Sequence, residues 1–493
     1  MWVNSSEPVK THIDLNRTTM NTKINGADLL SIGFKEGPLM GLALDIATTK
    51  FREKKKKAIL AIMKKAKDYP ENFLDDEIME PLVKAMIEEA NAPKDETIPL
   101  VSNPVDYTIY GAAFIEEGAR KQMDTAMKLP VTFAGALMPD AHQGYGLPIG
   151  GVLATKNAII PYGVGVDIGC RMALTIFDIP EQHFHQNIAK YKRELIAQTK
   201  FGAGNGFHGK EKADHAVLDR KEFNLTPFIK QLHEKAYAQL GTSGGGNHFV
   251  EWGMIEFNQR DEKLNIDKGK YLALLSHSGS RGLGATIAGY YTKLAKERCK
   301  LPDEAKNLAY FDMNTAEGLE YWLAMNLAGD YASACHEIIH QKMIKAIGGS
   351  VLAKVENHHN FAWKEMHNGE EVIVHRKGAT PAGKSVLGII PGSMTAPGFL
   401  VRGKGEAHSI NSASHGAGRQ MSRTASIKNI TKEQMNDVLN EHDVMLIGAG
   451  LDEAPMAYKD INTVMAAQNE LVDVVAKFTP KIVRMADDGS RED

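Results

Sequence analysis

Several short glycine-rich segments carry histidine, cysteine and acidic residues whose spacing suits metal and phosphate chemistry. In GVGVDIGCRM (163–172), Asp167 and Cys170 lie three apart between Gly165 and Gly169. A tight turn there lets a carboxylate and a thiolate face one point, and a thiolate can bridge two cations. Taken alone, Cys170 reads more simply as a buried core cysteine. In GTSGGGNHFVEWG (241–253), three consecutive glycines expose backbone N–H groups suited to phosphate, followed by Asn247, His248 and Glu251. LLSHSGSRGLG (274–284) reads as a strand ending in His277, after which Arg281 and glycines offer an anion site. In VENHHNFAW (355–363) only one of His358 and His359 can face a given site if the segment is extended. In SASHGAGRQMSR (412–423), His415 sits among small residues that leave room for a bulky group on its imidazole. Arg419 and Arg423 share a face if a helix begins there.

Two further segments read either way. MPDAHQGYGLPIGG (138–151) holds the metal-type residues Asp140 and His142, or is a glycine-rich turn with a structural aspartate. VHRKGATPAGK (374–384) brings His375, Arg376 and Lys377 beside a turn, as a site or as an exposed basic loop. Paired zinc-type cysteines do not occur, and the glycine loops do not form a dinucleotide fingerprint.

The elements that must position these residues form an α+β chain. Apolar runs such as VTFAGALMP, YLALLSHS, EVIVHRKG and VLGIIPGSM read as strands, each ending in a polar or glycine-rich loop. Helices are predicted at 181–199, 225–240, 284–299, 316–347, 431–441 and 459–477. Residues 1–100 read as a helical N-terminal extension to a catalytic domain over 101–493. In it, one helix is predicted to run from GFKEGPLMGLALDIATTK into FREKKKKAILAIMKKAK, and a second lies within 75–92. The basic run at 50–67 is either an RNA-facing surface or a solvated helix face.

Hydrophobic residues make up 43% of the 493, enough for a large core, and the net charge of −3 confines nucleic-acid affinity to local patches. Three widely spaced cysteines argue against a disulfide framework. The N-terminus shows no apolar signal segment, and no stretch is long enough to span a bilayer. These features predict a soluble cytoplasmic protein without a membrane partner; they do not set the oligomeric state.

Taken in series, PDAHQGYGLPIGGV, VGVDIGC, GTSGGGNHFVE, SHSGSRGLG, HHNFA, VHRKGATPAG, IPGSM, SHGAGRQMSR and DEAPMAYKDI resemble the RtcB family of RNA ligases over residues 105–485. The resemblance implies a single catalytic domain with central β-sheets flanked by helices. It implies that Asp167, Cys170, His248, His277 and His359 bind two Mn²⁺ ions and that His415 becomes guanylated by GTP. It places Asn247, Glu251, Asn360, Ser393, Ala417, Gly418 and Tyr458 around the guanylate, and gives Arg281 an RNA phosphate or the GTP tail. The activity implied is joining of RNA 3′-phosphate or 2′,3′-cyclic phosphate ends to 5′-hydroxyl ends, in RNA repair or tRNA splicing. RNA is the implied partner, with room for a helper protein.

Departures from the family pattern cluster near nucleotide and RNA contacts. TAPGFLV follows IPGSM where the family has Gly and then a Ser. GATPAGK lacks an arginine, and AGDYASACHE (328–337) replaces an AANYAxxNR-like helix. The C-terminus, PKIVRMADDGSRED, lacks the family's Lys-Gly, with Arg484 as the nearest cation. The chain therefore reads as a divergent paralogue. A metal-dependent RNA-end phosphodiesterase and a non-ligating RNA-binding protein stand as alternatives.

Overall fold

The computed structural model describes residues 24–34, 38–91 and 97–486. The chain divides into two compact units, Met1–Glu96 and Thr97–Asp493.

In the first unit, helices Gly26–Ser31, Pro38–Thr49, Lys56–Asp68 and Glu80–Asn91 surround a small core that includes Leu29, Ile59, Met63, Leu82 and Val83. The two segments expected to form one helix are separate, because Phe51–Lys55 adopts a turn. Phe51 is buried in the unit's core. The helix Lys56–Asp68 turns Ile59, Met63 and Ala66 inward and leaves Lys57, Lys64, Lys65 and Lys67 exposed. Lys56 pairs with Asp28 at 2.8 Å.

The second unit is built on two sheets. The larger runs in the order Leu387–Ile390, Gly398–Gly403, Val472–Met485, Phe249–Phe257, Gly269–Ser278, Arg171–Pro180, Val351–His358, with Met445–Ile447 joined in parallel to Val472–Met485. Asn357 near one edge accepts from the Ile389 N–H (2.8 Å) of the other edge, so the sheet nearly closes on itself. The smaller sheet runs Thr108–Ile109, Thr132–His142, Ile149–Thr155, Glu370–Lys377, Asn360–His367.

The strands of the larger sheet are rich in β-branched and aromatic residues. The helices Arg281–Arg298 and Ala316–Ile347 bury Leu283, Ile287, Tyr291, Tyr321 and Tyr331. Thr315 caps the longer helix by accepting from the Gly318 N–H. Predicted helices at 181–199 and 225–240 are each split in two, at Asn187 and at Gln231–Leu232. The predicted helix at 459–477 covers only Ile461–Ala466; from Val472 the chain is a 14-residue strand in the middle of the larger sheet. Residues VDVVAKF carry apolar side chains at helical spacing, but their valines pack better on a pleated surface.

Candidate metal and nucleotidyl-transfer site

Strand register brings the metal-type residues together. Arg171 lies opposite both Ser278 and His358, and Phe249 lies opposite His277. Cys170, His248, His277 and His359 therefore sit at one end of four adjacent strands, each within two residues of a strand terminus. Cys170 Sγ lies 3.1 Å from His277 Nε2 and 3.5 Å from His248 Nε2. His277 Nε2 is 3.1 Å from His359 Nε2, and His248 Nε2 is 3.1 Å from Asp167 Oδ2.

Asp167 reaches this point from the preceding turn, where its Oδ1 accepts from the Ser280 N–H. Gly279 permits the approach, since a Cβ there would lie 2.0 Å from the carboxylate. Burial alone would raise the Asp167 pKa, but the bond and charge of His248 hold it below the usual range. Burial pushes the His277 pKa down to about 3, so its imidazole is neutral and its lone pair is available. Burial also keeps His359 neutral. One thiol, three imidazoles and one carboxylate form a donor set suited to transition-metal ions. The atoms of Cys170, His248 and His277 lie within 4.8 Å of one another, so the residues present fit such an ion.

The paired histidines separate as extended geometry requires. His359 faces the cluster, whereas His358 packs edge-to-face on Phe361 and against Trp363 at centroid distances of 4.8 and 4.9 Å.

His415 stands beside the cluster, its ring centroid 5.0 Å from that of His359. It follows the short strand Ser412–Ser414, which pairs with Ala379–Pro381. Its Nδ1 lies 2.7 Å from Asp140 Oδ2, which also accepts from the His415 N–H at 3.1 Å. The strand Thr132–His142 loses regular pairing between Leu137 and His142, and this irregularity frees Asp140 to reach across. Although burial opposes it, His415 and Lys459 keep the Asp140 carboxyl ionised. A carboxylate on Nδ1 assigns the proton to that nitrogen and leaves the lone pair on Nε2. Gly418 (φ 74°) fits against Asp140 O where a Cβ would lie at 2.1 Å. His142 bonds its own strand through Asp140 O at 3.1 Å and lies outside the donor cluster.

A cavity of about 1070 Å³ opens over both groups. It is lined by Asp167, Cys170, Asn247, Glu251, His277, His359, Asn360, Ser393, His415, Ala417, Gly418 and Tyr458, twelve of the fourteen residues singled out in the sequence. His248 sits behind Asp167 and Cys170 with 1% exposure. Arg281 does not line the cavity; it is buried, donating to Thr242 Oγ1 (3.0 Å) and Gly202 O (2.7 Å).

Other walls are polar. Burial pushes the Glu251 pKa well above the usual carboxylate range. Tyr458 donates to Glu453, which also meets Arg419 (3.3 Å) and Arg423. The helix here begins only at Arg423, so the two arginines converge through Glu453 rather than through helical spacing. His375, Arg376 and Lys377 lie in the buried strand Glu370–Lys377 rather than in an exposed loop. His375 accepts from the Ile160 N–H, Arg376 pairs with Glu365 at 2.5 Å, and Lys377 faces the cavity. Burial pulls the Lys377 pKa down to about 7.

A family profile for the tRNA-splicing ligase RtcB matches residues 122–486. The chain belongs to the RtcB family. The RNA-splicing ligase RtcB of Escherichia coli K12 is 36% identical over 393 residues, 73% of this chain and 92% of that protein. The tRNA-splicing ligase RtcB of Nanoarchaeum equitans is 29% identical over 419 residues, covering 70% and 87% of the two chains. The RtcB homolog 1 of Entamoeba dispar is 28% identical over 438 residues, covering 74% and 81%.

Against this RtcB background, two features were not singled out as site residues. Asp140, metal-type or structural by sequence, holds His415. Lys377 was grouped with a basic turn, whereas it is a buried amine at the cavity wall. Arg484, the cation named above in place of the family's terminal lysine, donates to Leu195 O, Thr199 O and Thr199 Oγ1, away from the cavity lined by its neighbours Val483 and Met485. The rest of the altered tail, 487–493, lies outside the described residues. The altered segment after IPGSM does reach the cavity, through Ala396 and Gly398. Among the described residues no helix is long and apolar enough to cross a membrane.

Proposed function

We propose that the protein is an RNA ligase that uses GTP and two Mn²⁺ ions to join a 3′-phosphate or 2′,3′-cyclic phosphate end to a 5′-hydroxyl end. Family membership supports the class of reaction. The observation that carries the finer reading is the His415 imidazole, held through Nδ1 by Asp140 and set beside the His359 ring next to the Cys170 cluster.

His415 Nε2 attacks the α-phosphorus of GTP; a P–N bond forms and the bond to pyrophosphate breaks. Asp140 stabilises the positive charge that the ring acquires. An oxygen of the RNA 3′-phosphate then attacks the same phosphorus, and His415 leaves as neutral imidazole. The 5′-hydroxyl of the second end attacks the activated 3′-phosphate, its proton is lost, and GMP departs. A cyclic phosphate is hydrolysed to the 3′-phosphate first. Asp167, Cys170, His248, His277 and His359 would hold the two ions, which supply charge neutralisation and orientation of phosphate groups. Asn247, Glu251, Asn360, Ser393, Ala417, Gly418 and Tyr458 surround the guanylate. Burial favours the neutral form of the Glu251 carboxyl, a form that donates to a purine acceptor as well as accepting. Arg281 acts from behind the wall, fixing the 242–244 loop rather than touching phosphate directly.

The test is incubation with α-labelled GTP and Mn²⁺ followed by a denaturing gel. An acid-labile label on wild type that disappears in His415→Ala supports the proposal. Failure of wild type to take label from any nucleoside triphosphate overturns it. Processing of RNA ends without joining and without nucleotide selects a phosphodiesterase.

A further inference from the structure

A groove of about 500 Å³ leaves the main cavity past Tyr145, Tyr162 and Val166, which line both spaces. Its far wall is about two turns of the helix Arg281–Arg298, with Gly289, Thr292, Lys293 and Lys296 facing it. The size lies within the roughly 300–1,000 Å³ range of small-ligand sites.

The groove joins aromatic faces to cations. Tyr145 and Tyr162 stack at 6.2 Å with an interplanar angle of 27°, and Tyr145 is 68% exposed. Lys296 Nζ lies 5.6 Å from the centre of the Tyr162 ring and donates to Asn307 Oδ1. Lys293 is 82% exposed and pairs at 4.0 Å with Glu297, which also lines the groove, so two cations face one carboxylate there. The Thr292 hydroxyl oxygen is buried at this wall with no hydrogen-bond partner among the described residues.

The position of the rings is fixed from beneath. Lys377 Nζ donates to the carbonyls of Tyr145 (2.6 Å) and Tyr162 (3.3 Å) and lies 4.9 Å from the Tyr162 ring. One buried amine thus ties both tyrosine backbones to the wall of the ligation cavity. A large ring that is 68% exposed on an anchored backbone gains little from folding, because its face is not covered by protein. What it offers is a preformed stacking platform whose open end carries positive charge. Single-stranded nucleic acid is recognised by this combination, base on aromatic face and phosphate on cation, with little sequence preference.

We propose that the groove binds an unpaired RNA nucleotide next to the end being joined, its base on Tyr145 and its phosphate toward Lys293 and Lys296. The proposal rests on the RNA ligase reading for its occupant. Val166 is adjacent to Asp167, so the groove delivers its strand directly to the Cys170 cluster.

The test is fluorescence anisotropy of full-length protein without nucleoside triphosphate. Two labelled single-stranded RNA oligonucleotides are used, one ending in a 3′-phosphate and one in a 5′-hydroxyl. Tyr145→Ala is expected to weaken binding of at least one oligonucleotide roughly fivefold or more, the scale of one lost stack. Tyr145→Trp is expected to retain it, and Lys293→Glu to weaken it with a shallower salt dependence. The affected oligonucleotide identifies which strand enters by the groove. Wild-type affinity of both oligonucleotides for Tyr145→Ala and Lys293→Glu overturns the proposal, as does equal loss in Tyr145→Ala and Tyr145→Trp. Absence of RNA binding by wild type overturns it too. GTP labelling of wild-type His415 is scored separately, so failure of the groove and failure of the ligase reading are distinct results.

Discussion

Two groups of buried histidines flank a single strand, Gly269–Ser278, and they are built for different ends. On one side His277 meets Cys170, His248 and His359. On the other, Ser276 joins His336 Nδ1 (2.6 Å) to His340 Nε2 (2.7 Å) through its hydroxyl. His340 Nδ1 continues to Thr175 Oγ1 at 2.7 Å, and His336 Nε2 to Ser278 O at 3.1 Å. Every ring nitrogen of the second group therefore has a hydroxyl or carbonyl partner. In the first group, ring nitrogens point at a sulfur, a carboxylate oxygen and one another, beside an open cavity. Burial is shared; what separates a binding cluster from a structural network is lone pairs that converge without protons between them.

The largest effect that can break this contrast is chemical. Cys170→Ala, His277→Ala and His415→Ala are each expected to lower ligation of RNA ends by on the order of 10⁴-fold, measured under single-turnover conditions. His340→Phe should leave ligation near the wild-type rate. If His340→Phe were as damaging as His277→Ala in folded protein, the division between the groups would not hold.

Next in size is the support of His415. Asp140→Asn keeps the shape but removes the charge that opposes the imidazolium. It is expected to slow guanylylation by roughly 10- to 100-fold, the scale seen when the carboxylate that orients a functional histidine is removed. His415→Ala should gain nothing further from the second substitution, because both act through one ring.

The structural network is expected to appear in stability instead. His340→Phe leaves the Thr175 and Ser276 hydroxyls short of partners and should cost about 1–3 kcal/mol in urea unfolding. Metal content, measured by elemental analysis after dialysis, should not change.

Acid sharpens the comparison for metal-free protein. Burial holds His142, His277, His336 and His358 near pKa values of about 4, 3, 3 and 3, against 6.5 in the unfolded chain. Between pH 6.5 and about 3 the unfolded chain binds protons that the folded chain refuses. Stability is therefore fully present above pH 6.5 and is lost as pH falls through that window. Replacing one of these histidines should remove up to about 1.4 kcal/mol per pH unit from the slope. A flat urea midpoint from pH 7 to 4 would contradict the neutral buried rings.

The smallest effect concerns Glu251. Its pKa is raised, so above pH 4.5 the unfolded side chain loses a proton that the folded one keeps, and stability falls as pH rises. Glu251→Gln should be at least as stable as wild type at pH 7, with the difference vanishing below pH 4.

Much of the site was legible because its residues lie at strand ends marked by glycine. His248, His277 and His359 each end or precede an apolar run, and antiparallel register carries them to one edge without any further contact. Asp140 was ambiguous because its partner is 275 positions away and reached only through a break in strand pairing. Arg281 looked like an anion site from its glycines, yet its left-handed φ of 54° turns the side chain into the wall, toward Thr242 and Gly202. The strand at Val472–Met485 was hidden by apolar spacing that fits either period, and only its neighbours on both sides decide between them.

The most direct measurement is titration of the metal-free protein with Co²⁺, following thiolate-to-metal charge-transfer absorption. The account predicts a saturable band in wild type and in His340→Phe, competed by Mn²⁺ and absent in Cys170→Ser. Wild-type protein that binds Co²⁺ without that band, or does not bind it, would show that the Cys170 thiol is not a ligand.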